Sequence, residues 1–139
     1  MKKIILDCDP GQDDAVALAL AMAAKDEIEI LGVTTVAGNV PLNLTQRNAR
    51  IMCEMCHRPD VKVYAGSEKP MAQELVTAEH VHGKSGLDGI EIYEPSHSLE
   101  EKHAIDFIIE SCLAAEHNSL ILVPTGPLTN IGLAIDREP

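Results

Sequence analysis

Four aspartates stand within eight residues near the start of the chain: Asp7, Asp9, Asp13 and Asp14. The apolar run before them, Ile4 to Leu6, predicts a short buried strand, and the alanine-rich segment after them predicts a helix. Pro10 and Gly11 predict a turn between the two elements. Carboxylates grouped this closely can bind a hard cation such as Ca²⁺ or Mg²⁺, or act as acid and base in catalysis.

Helix capping is the ordinary explanation for an aspartate at such a turn. Asp9 could cap the helix, with Pro10 at the first helical position and Gln12 completing a capping-box pair. The helix dipole would stabilise a second carboxylate by roughly 0.3–1 kcal/mol. Two carboxylates about 4 Å apart repel each other by about 4 kcal/mol at an effective dielectric constant near 20. Either some of the acids turn toward water or a cation lies among them, and we favour the cation.

The segment from Asp7 to Ala15 resembles the N-terminal signature of the nucleoside hydrolases, the inosine–uridine-preferring family. Its D-x-D-P-G-x-D-D pattern is long and specific. Three further segments are similar to motifs of that family: V-x-G-N at 36–39, H-x-H-G-x-S-G at 80–86 and V-P-T-G-x-L-T-N at 123–130. The resemblance extends from residue 4 to residue 139, which is essentially the whole chain.

The resemblance implies a Ca²⁺ site. Its ligands would be three carboxylates and one main-chain carbonyl, from Asp9, Asp13, Asp14 and Thr125. Chains of the family are more than twice as long as this one, and their other half supplies a further Asp ligand, an Asn and a Glu at the ribose, and commonly a His near the base. The calcium site of this chain is therefore expected to be incomplete.

The implied reaction is hydrolysis of the N-glycosidic bond of a ribonucleoside to free base and ribose. Ca²⁺ would bind the ribose diol and lower the pKa of a water, and Asp9 would accept the proton of that water as general base. By the same resemblance, Asn39 lies beside the ribose, Asp13 and His82 contact the substrate, and Asp7 supports the site. The preference for purine or pyrimidine bases stays open.

Apolar periodicity alternates between strand-like and helix-like segments. Strands are predicted at 4–6, 27–36, 61–64 and 119–123, and helices at 15–24, 41–55, 104–115 and 127–135. This alternation predicts an α/β fold, an open and mostly parallel sheet with helices on both faces. Residues 1–139 would then form the N-terminal part of a single nucleoside hydrolase-like domain. Ligands of such sheets bind at the carboxyl ends of the strands, where Asp7, Asp9, Asn39 and Thr125 stand.

Residues 65–102 break the alternation. The segment contains four glycines and two prolines, and we predict at most a short helix near 71–80. A connection of this length within a compact domain is more often functional than structural filler. We therefore predict that 65–102 is an active-site loop region.

The amino-acid composition indicates which classes of partner the chain can bind. With 22 acidic and 11 basic residues the chain has a net charge of −11, which argues against nucleic-acid binding. No apolar run reaches the length of a membrane span, and the short run after Lys2 and Lys3 does not form a signal peptide, so we expect a cytoplasmic protein. An uncovered sheet edge would favour association with other chains, and we expect a homo-oligomer.

Two alternative functions stay open. Haloacid-dehalogenase-type phosphatases also begin with an apolar strand and Asp-x-Asp, which would make Asp7 the nucleophile, Asp9 the acid/base and Thr125 a phosphate-binding residue. That pattern leaves Asp13 and Asp14 unexplained, and it has Thr or Val where this chain has Gly11. The other alternative is a truncated, metal-binding chain without turnover.

Overall fold

The computed structural model describes all 139 residues as four strands and five helices. In chain order these elements are β1 (Lys2–Cys8), α1 (Gln12–Ala23), β2 (Ile28–Thr35), α2 (Leu42–Met55), β3 (Val63–Ala65), α3 (Glu79–His82), α4 (Ala104–Ala114), β4 (Leu120–Pro124) and α5 (Thr129–Arg137).

All strand pairs of the sheet are parallel, and the strand order is β3-β2-β1-β4. In register, Leu6 of β1 lies between Val33 of β2 and Val123 of β4. The chain runs outward from β1 to β3 and then returns to the other side of β1, so the strand order reverses between β1 and β4. In open parallel sheets this switch point opens a crevice at the carboxyl ends of the strands.

The helices cover both faces of the sheet, as the α/β prediction requires. Because successive side chains of a strand alternate between faces, Ile4 and Leu6 pack with buried residues of α1 and α2, such as Leu18 and Met52. Ile5, on the opposite face, packs with buried residues of α4 and α5, namely Ile105, Ile108 and Ala134. The predicted fold class is confirmed.

The prediction allowed at most a short helix near 71–80, and the structure has one turn of helix at Glu79–His82 and none at residues 71–78. The main-chain N–H of Ala78 donates to the carbonyl of Asn39 instead of to a carbonyl one turn earlier. A helix of one turn, α3, begins only at Glu79. The backbone in this region is therefore held by the loop after β2 rather than by its own helical bonds.

The far end of the 65–102 segment is bound to α2. Arg50 donates to the carbonyl of His97 at 3.1 Å. The Glu54 carboxylate accepts bonds of 2.8 Å from the Tyr93 hydroxyl, the Ser96 hydroxyl and the main-chain N–H of His97. These bonds, that from Ser96 foremost, lower the pKa of Glu54 to about 2. The segment is thus anchored to the domain at 93–97.

The β4 strand pairs only with β1, so its outer edge is unpaired. Ile121 of β4 is 43% exposed, and Leu113 of α4 and Ile135 of α5 are also exposed beside a small apolar groove. Such an edge is a template for pairing with another chain. None of the helices is long and apolar enough to cross a membrane.

Candidate active site

Asp9 directly follows β1, at the switch point of the sheet, and is only 6% exposed. Its Oδ2 accepts a hydrogen bond of 2.8 Å from the main-chain N–H of Asn39. Its main-chain carbonyl accepts a second bond, of 2.9 Å, from the side-chain amide of Asn39. The loop after β2 therefore holds both the backbone and the carboxylate of Asp9.

Two glycines leave the space that the Asp9 carboxylate occupies. A Cβ on Gly38, in the loop after β2, would lie 2.2 Å from Oδ2 of Asp9. A Cβ on Gly126, in the loop after β4, would lie 2.8 Å from Oδ1. Any larger residue at either position would displace the carboxylate, so both glycines are needed for its position.

Asp14 lies next to Asp9 in the first turn of α1. It is buried, and its Oδ2 accepts the main-chain N–H of Asp9 at 2.9 Å. The residue that caps α1 is Gly11, without a side-chain cap bond, so Asp9 does not cap the helix. Asp13, one residue before Asp14, is exposed. Of the two adjacent acids, the structure brings only Asp14 against Asp9.

Burial and a neighbouring charge change the acidity of the Asp9 carboxyl group. Removal from water is the main cause that raises the pKa of Asp9 to about 7, and the negative charge of Asp14 adds to the rise. The N–H of Asn39 opposes the change, because it stabilises the charged form. Burial likewise raises the pKa of Asp7, against hydrogen bonds from Thr34 and Asn130. A cation at this place would favour the ionised form of both acids.

Asp7 lies within the sheet rather than in the crevice and is 1% exposed. Its Oδ1 accepts bonds from the Thr34 hydroxyl at 2.6 Å and from the Asn130 amide at 2.8 Å. Its main-chain carbonyl accepts the N–H of Thr125 at 2.8 Å. Its Oδ2 is buried without any hydrogen-bond partner. A carboxylate enclosed in this way cannot attack a phosphate, which argues against the phosphatase alternative.

The residues present fit part of a site for a hard cation. The carboxylates of Asp9 and Asp14 are buried beside each other, and the loop of Thr125 is bonded to the end of β1. Oxygen donors of this kind suit Ca²⁺ or Mg²⁺. However, no group of three or more His, Cys, Asp and Glu side chains is arranged to hold a metal ion. The side-chain oxygens that the structure brings together here are those of Asp9 and Asp14.

His82 lies against the start of α1. Its Nδ1 contacts Oε1 of Gln12, and a Cβ on Gly11 would lie 2.5 Å from the same nitrogen. Gln12 also donates to the carbonyls of His82, at 3.3 Å, and Asp88, at 3.1 Å. The structure places His82 beside the aspartate segment, without a hydrogen bond to Asp9. Its contact with substrate stays a prediction.

Comparison with known proteins gives the family. Residues 4–139 match the model of the family described as inosine-uridine preferring nucleoside hydrolase. The chain belongs to this family. It is 45% identical over 140 residues to the inosine-uridine preferring nucleoside hydrolase of Crithidia fasciculata, and 42% identical over 139 residues to the pyrimidine-specific ribonucleoside hydrolase RihB of Escherichia coli K12. The purine-preferring ribonucleoside hydrolase of Gardnerella vaginalis superposes with a TM-score of 0.87 at 36% identity.

These matches cover 99% of this chain but only 43–44% of each relative. The chain therefore spans less than half the length of the relatives that it matches. The family resemblance and the fold class predicted from the sequence are both confirmed.

Two buried asparagines were missed as site residues. Asn48 of α2 donates to the carbonyls of Pro10, at 3.0 Å, and Ser85, at 2.8 Å. Asn130 of α5 bonds to Asp7 and is fully buried. A sequence signal exists for Asn130, because it stands four residues before Ala134 and so shares the helical face that packs on the sheet. A polar residue on such a face needs polar partners.

One of the two most voluminous cavities of this chain lies away from these residues. Its volume is about 920 Å³, and its walls come from 53–62 and from 96–100. None of the predicted site residues lines it. The candidate site is therefore located by the geometry of its carboxylates and not by cavity size.

Proposed function

We propose that this chain carries one part of a nucleoside hydrolase active site, which cleaves the N-glycosidic bond of ribonucleosides. The observation that carries the proposal is the placement of Asp9. It is a buried carboxylate at the switch point of a parallel sheet, set between Gly38 and Gly126 and bonded to Asn39 and Asp14. Membership of the nucleoside hydrolase family supports the reaction type.

The proposed cofactor is Ca²⁺, with Asp9, Asp13, Asp14 and the carbonyl of Thr125 as its ligands. Burial of two neighbouring carboxylates supports this choice, because an uncompensated pair repels by several kcal/mol at low effective dielectric. Asp13 is exposed, so its side chain can turn toward an ion. When bound, the ion would supply Lewis-acid polarisation and lower the pKa of a water.

Asp9 is the proposed general base. It would accept a proton from the water whose oxygen attacks C1′ of the ribose, while the bond from C1′ to the base nitrogen breaks. The electron pair of that bond stays on the base, which takes up a proton on release. Asn39 holds Asp9 in place. The main-chain N–H of Asn39 donates to Oδ2 of Asp9 and does not occupy Oδ1. The surrounding carboxylates would stabilise the positive charge that develops on the sugar ring.

The substrate is proposed to be a ribonucleoside, with Asn39, Asp13 and His82 near it. The preference for a purine or a pyrimidine base stays open, because the named relatives differ in the base that they prefer. One is called inosine-uridine preferring, one pyrimidine-specific and one purine-preferring.

Metal binding without turnover is the second candidate. Its support is that the chain carries the buried carboxylates of Asp9 and Asp14 but spans only 43–44% of the length of the ribonucleoside hydrolases that it matches. The two candidates differ in one respect, the release of product. A chain that binds Ca²⁺ but leaves nucleosides intact has the second function.

The test is a product assay with inosine, uridine and p-nitrophenyl phosphate in the presence of Ca²⁺. The proposal predicts free base and ribose, and loss of both products with a chelator. Because this chain has less than half the length of its relatives, its rate is expected to lie far below that of a complete domain. Phosphate release without nucleoside cleavage would contradict the proposal.

A further inference from the structure

Asn130 uses its side-chain amide completely. Its Nδ2 donates to Oδ1 of Asp7, at 2.8 Å, and to the carbonyl of Thr35, at 3.0 Å. Its Oδ1 accepts from the main-chain N–H and from the hydroxyl of Ser67, at 2.9 and 2.8 Å. Two donors meet the oxygen and two acceptors meet the nitrogen, so only one orientation of the amide satisfies all four bonds.

These bonds join three strand ends to one helix. Asp7 belongs to β1, Thr35 ends β2, and Ser67 follows β3 by two residues, whereas Asn130 lies in the first turn of α5. The fourth strand is joined at the same place, because the N–H of Thr125 donates to the carbonyl of Asp7. Asn130 therefore lies at the junction of all four carboxyl ends.

The surroundings of Asn130 leave no space for adjustment. Its side chain is fully buried, and a Cβ on Gly66 would lie 2.4 Å from its Oδ1. Asn130→Asp would fit the space, but an ionised carboxylate could not donate to Asp7 or Thr35. It would also set a second carboxylate against that of Asp7. Asn130→Leu would leave these buried acceptors and donors without partners.

We propose that Asn130 is a positioning residue, which fixes the spacing of the strand ends so that Asp9 and the carbonyl of Thr125 can share one cation. The inference rests on the proposed function, since it assumes the cation site. Asn130 acts through Asp7: one of its bonds holds the Asp7 side chain, and Asp9 and Thr125 flank the Asp7 backbone. Partners that orient metal ligands in this way typically change metal affinity roughly 10-fold to 100-fold.

The test is titration of the folded chain with Ca²⁺ and with Tb³⁺, whose luminescence lifetime reports the number of bound waters. The variants are Asn130→Asp and Asn130→Leu, with Thr129→Val as matched control, because Thr129 is a buried neighbour in α5 whose side chain makes no hydrogen bond. Thermal denaturation of each variant without metal identifies a temperature at which all variants are folded, and the titrations are carried out at that temperature. Ser67→Ala, which removes a single bond, is the milder variant if both Asn130 variants fail to fold.

The inference predicts that both Asn130 variants bind either ion roughly 10-fold to 100-fold more weakly, with more water on Tb³⁺, and that Thr129→Val is unchanged. Ser67→Ala should weaken binding in the same direction. Wild-type affinity and hydration in the folded Asn130 variants, or in Ser67→Ala if only that variant folds, would overturn the inference. Equal binding by wild type and Asp9→Asn would instead overturn the cation site itself, and the inference with it.

Discussion

The main-chain N–H of Asp9 donates to the carboxylate of Asp14 at 2.9 Å, which ties the end of β1 to the first turn of α1. Both side chains are buried. The bond therefore holds two carboxylates side by side at the carboxyl end of the central strand pair. Capping of α1 does not explain this arrangement, because the cap residue is Gly11. The pair is the feature on which the proposed cation site depends.

Calcium binding should depend on the two buried carboxylates of Asp9 and Asp14. We expect the chain to bind Ca²⁺ weakly, with a Kd on the order of 10⁻⁴–10⁻³ M, because only two buried carboxylates meet at this place. Asp14→Asn should abolish the binding, and Asp13→Asn should weaken it. Asp26→Asn is the charge-matched control, since Asp26 is exposed beyond the end of α1. Calorimetric titration checks the prediction, and equal heats in all four proteins would remove the metal site.

The stability of the metal-free chain should fall as the pH rises from about 4 to about 7. Folding raises the pKa of Asp9 from 3.8 to about 7, so the folded chain binds a proton in this range that the unfolded chain has lost. The contribution is fully present below pH 3.8 and is lost as the pH passes 7. Its size is roughly 2–4 kcal/mol.

Denaturant unfolding at a series of pH values, for wild type and Asp9→Asn, isolates this contribution. The difference between the two proteins should follow the titration of Asp9, and saturating Ca²⁺ should remove it, because the ion binds the ionised carboxylate. Parallel pH profiles of the two proteins would show that the Asp9 carboxyl is not perturbed.

Asn48 should control the order of residues 83–88. Its amide holds the carbonyl of Ser85 and that of Pro10, so Asn48→Leu leaves two acceptors without a donor, at about 1–3 kcal/mol. Hydrogen exchange should become faster at 83–88 than in the rest of the chain. Asn43→Leu, at an exposed position of the same helix, should leave exchange there unchanged. Uniform acceleration along the chain would mean that Asn48 stabilises the whole domain and not this segment.

Much of the fold and the core of the site could be predicted from the sequence. Apolar periodicity predicts every strand, and the aspartates mark the strand end at which Asp9, Asp14 and Asn39 meet. The helical face predicts that Asn130 is buried, but its bond to Asp7, 123 residues away in sequence, cannot be predicted from any local pattern. The short helix expected near 71–80 starts only at Glu79 for a similar reason, because the backbone of Ala78 is bonded to the distant Asn39.

The unpaired edge of β4 should make the chain associate with itself. The strand has no charged residue, and Ile121 on it is 43% exposed, so little opposes pairing with another edge. Ile121→Lys should shift the population toward monomer in light scattering. Val16→Lys adds the same charge at an exposed apolar position on α1 and should not. A wild-type chain that stays monomeric at all concentrations tested would contradict this prediction.

The most direct test of the central claim is a chimera. The segment of the Crithidia fasciculata nucleoside hydrolase that aligns with this chain, 140 residues at 45% identity, is replaced by residues 1–139, and release of base from inosine and uridine is measured. The chimera should hydrolyse nucleosides, and Asp9→Asn within it should lower kcat by roughly 10²–10⁴-fold, because an amide cannot accept the proton of the attacking water. A folded chimera in which Asp9→Asn keeps full activity would contradict the account.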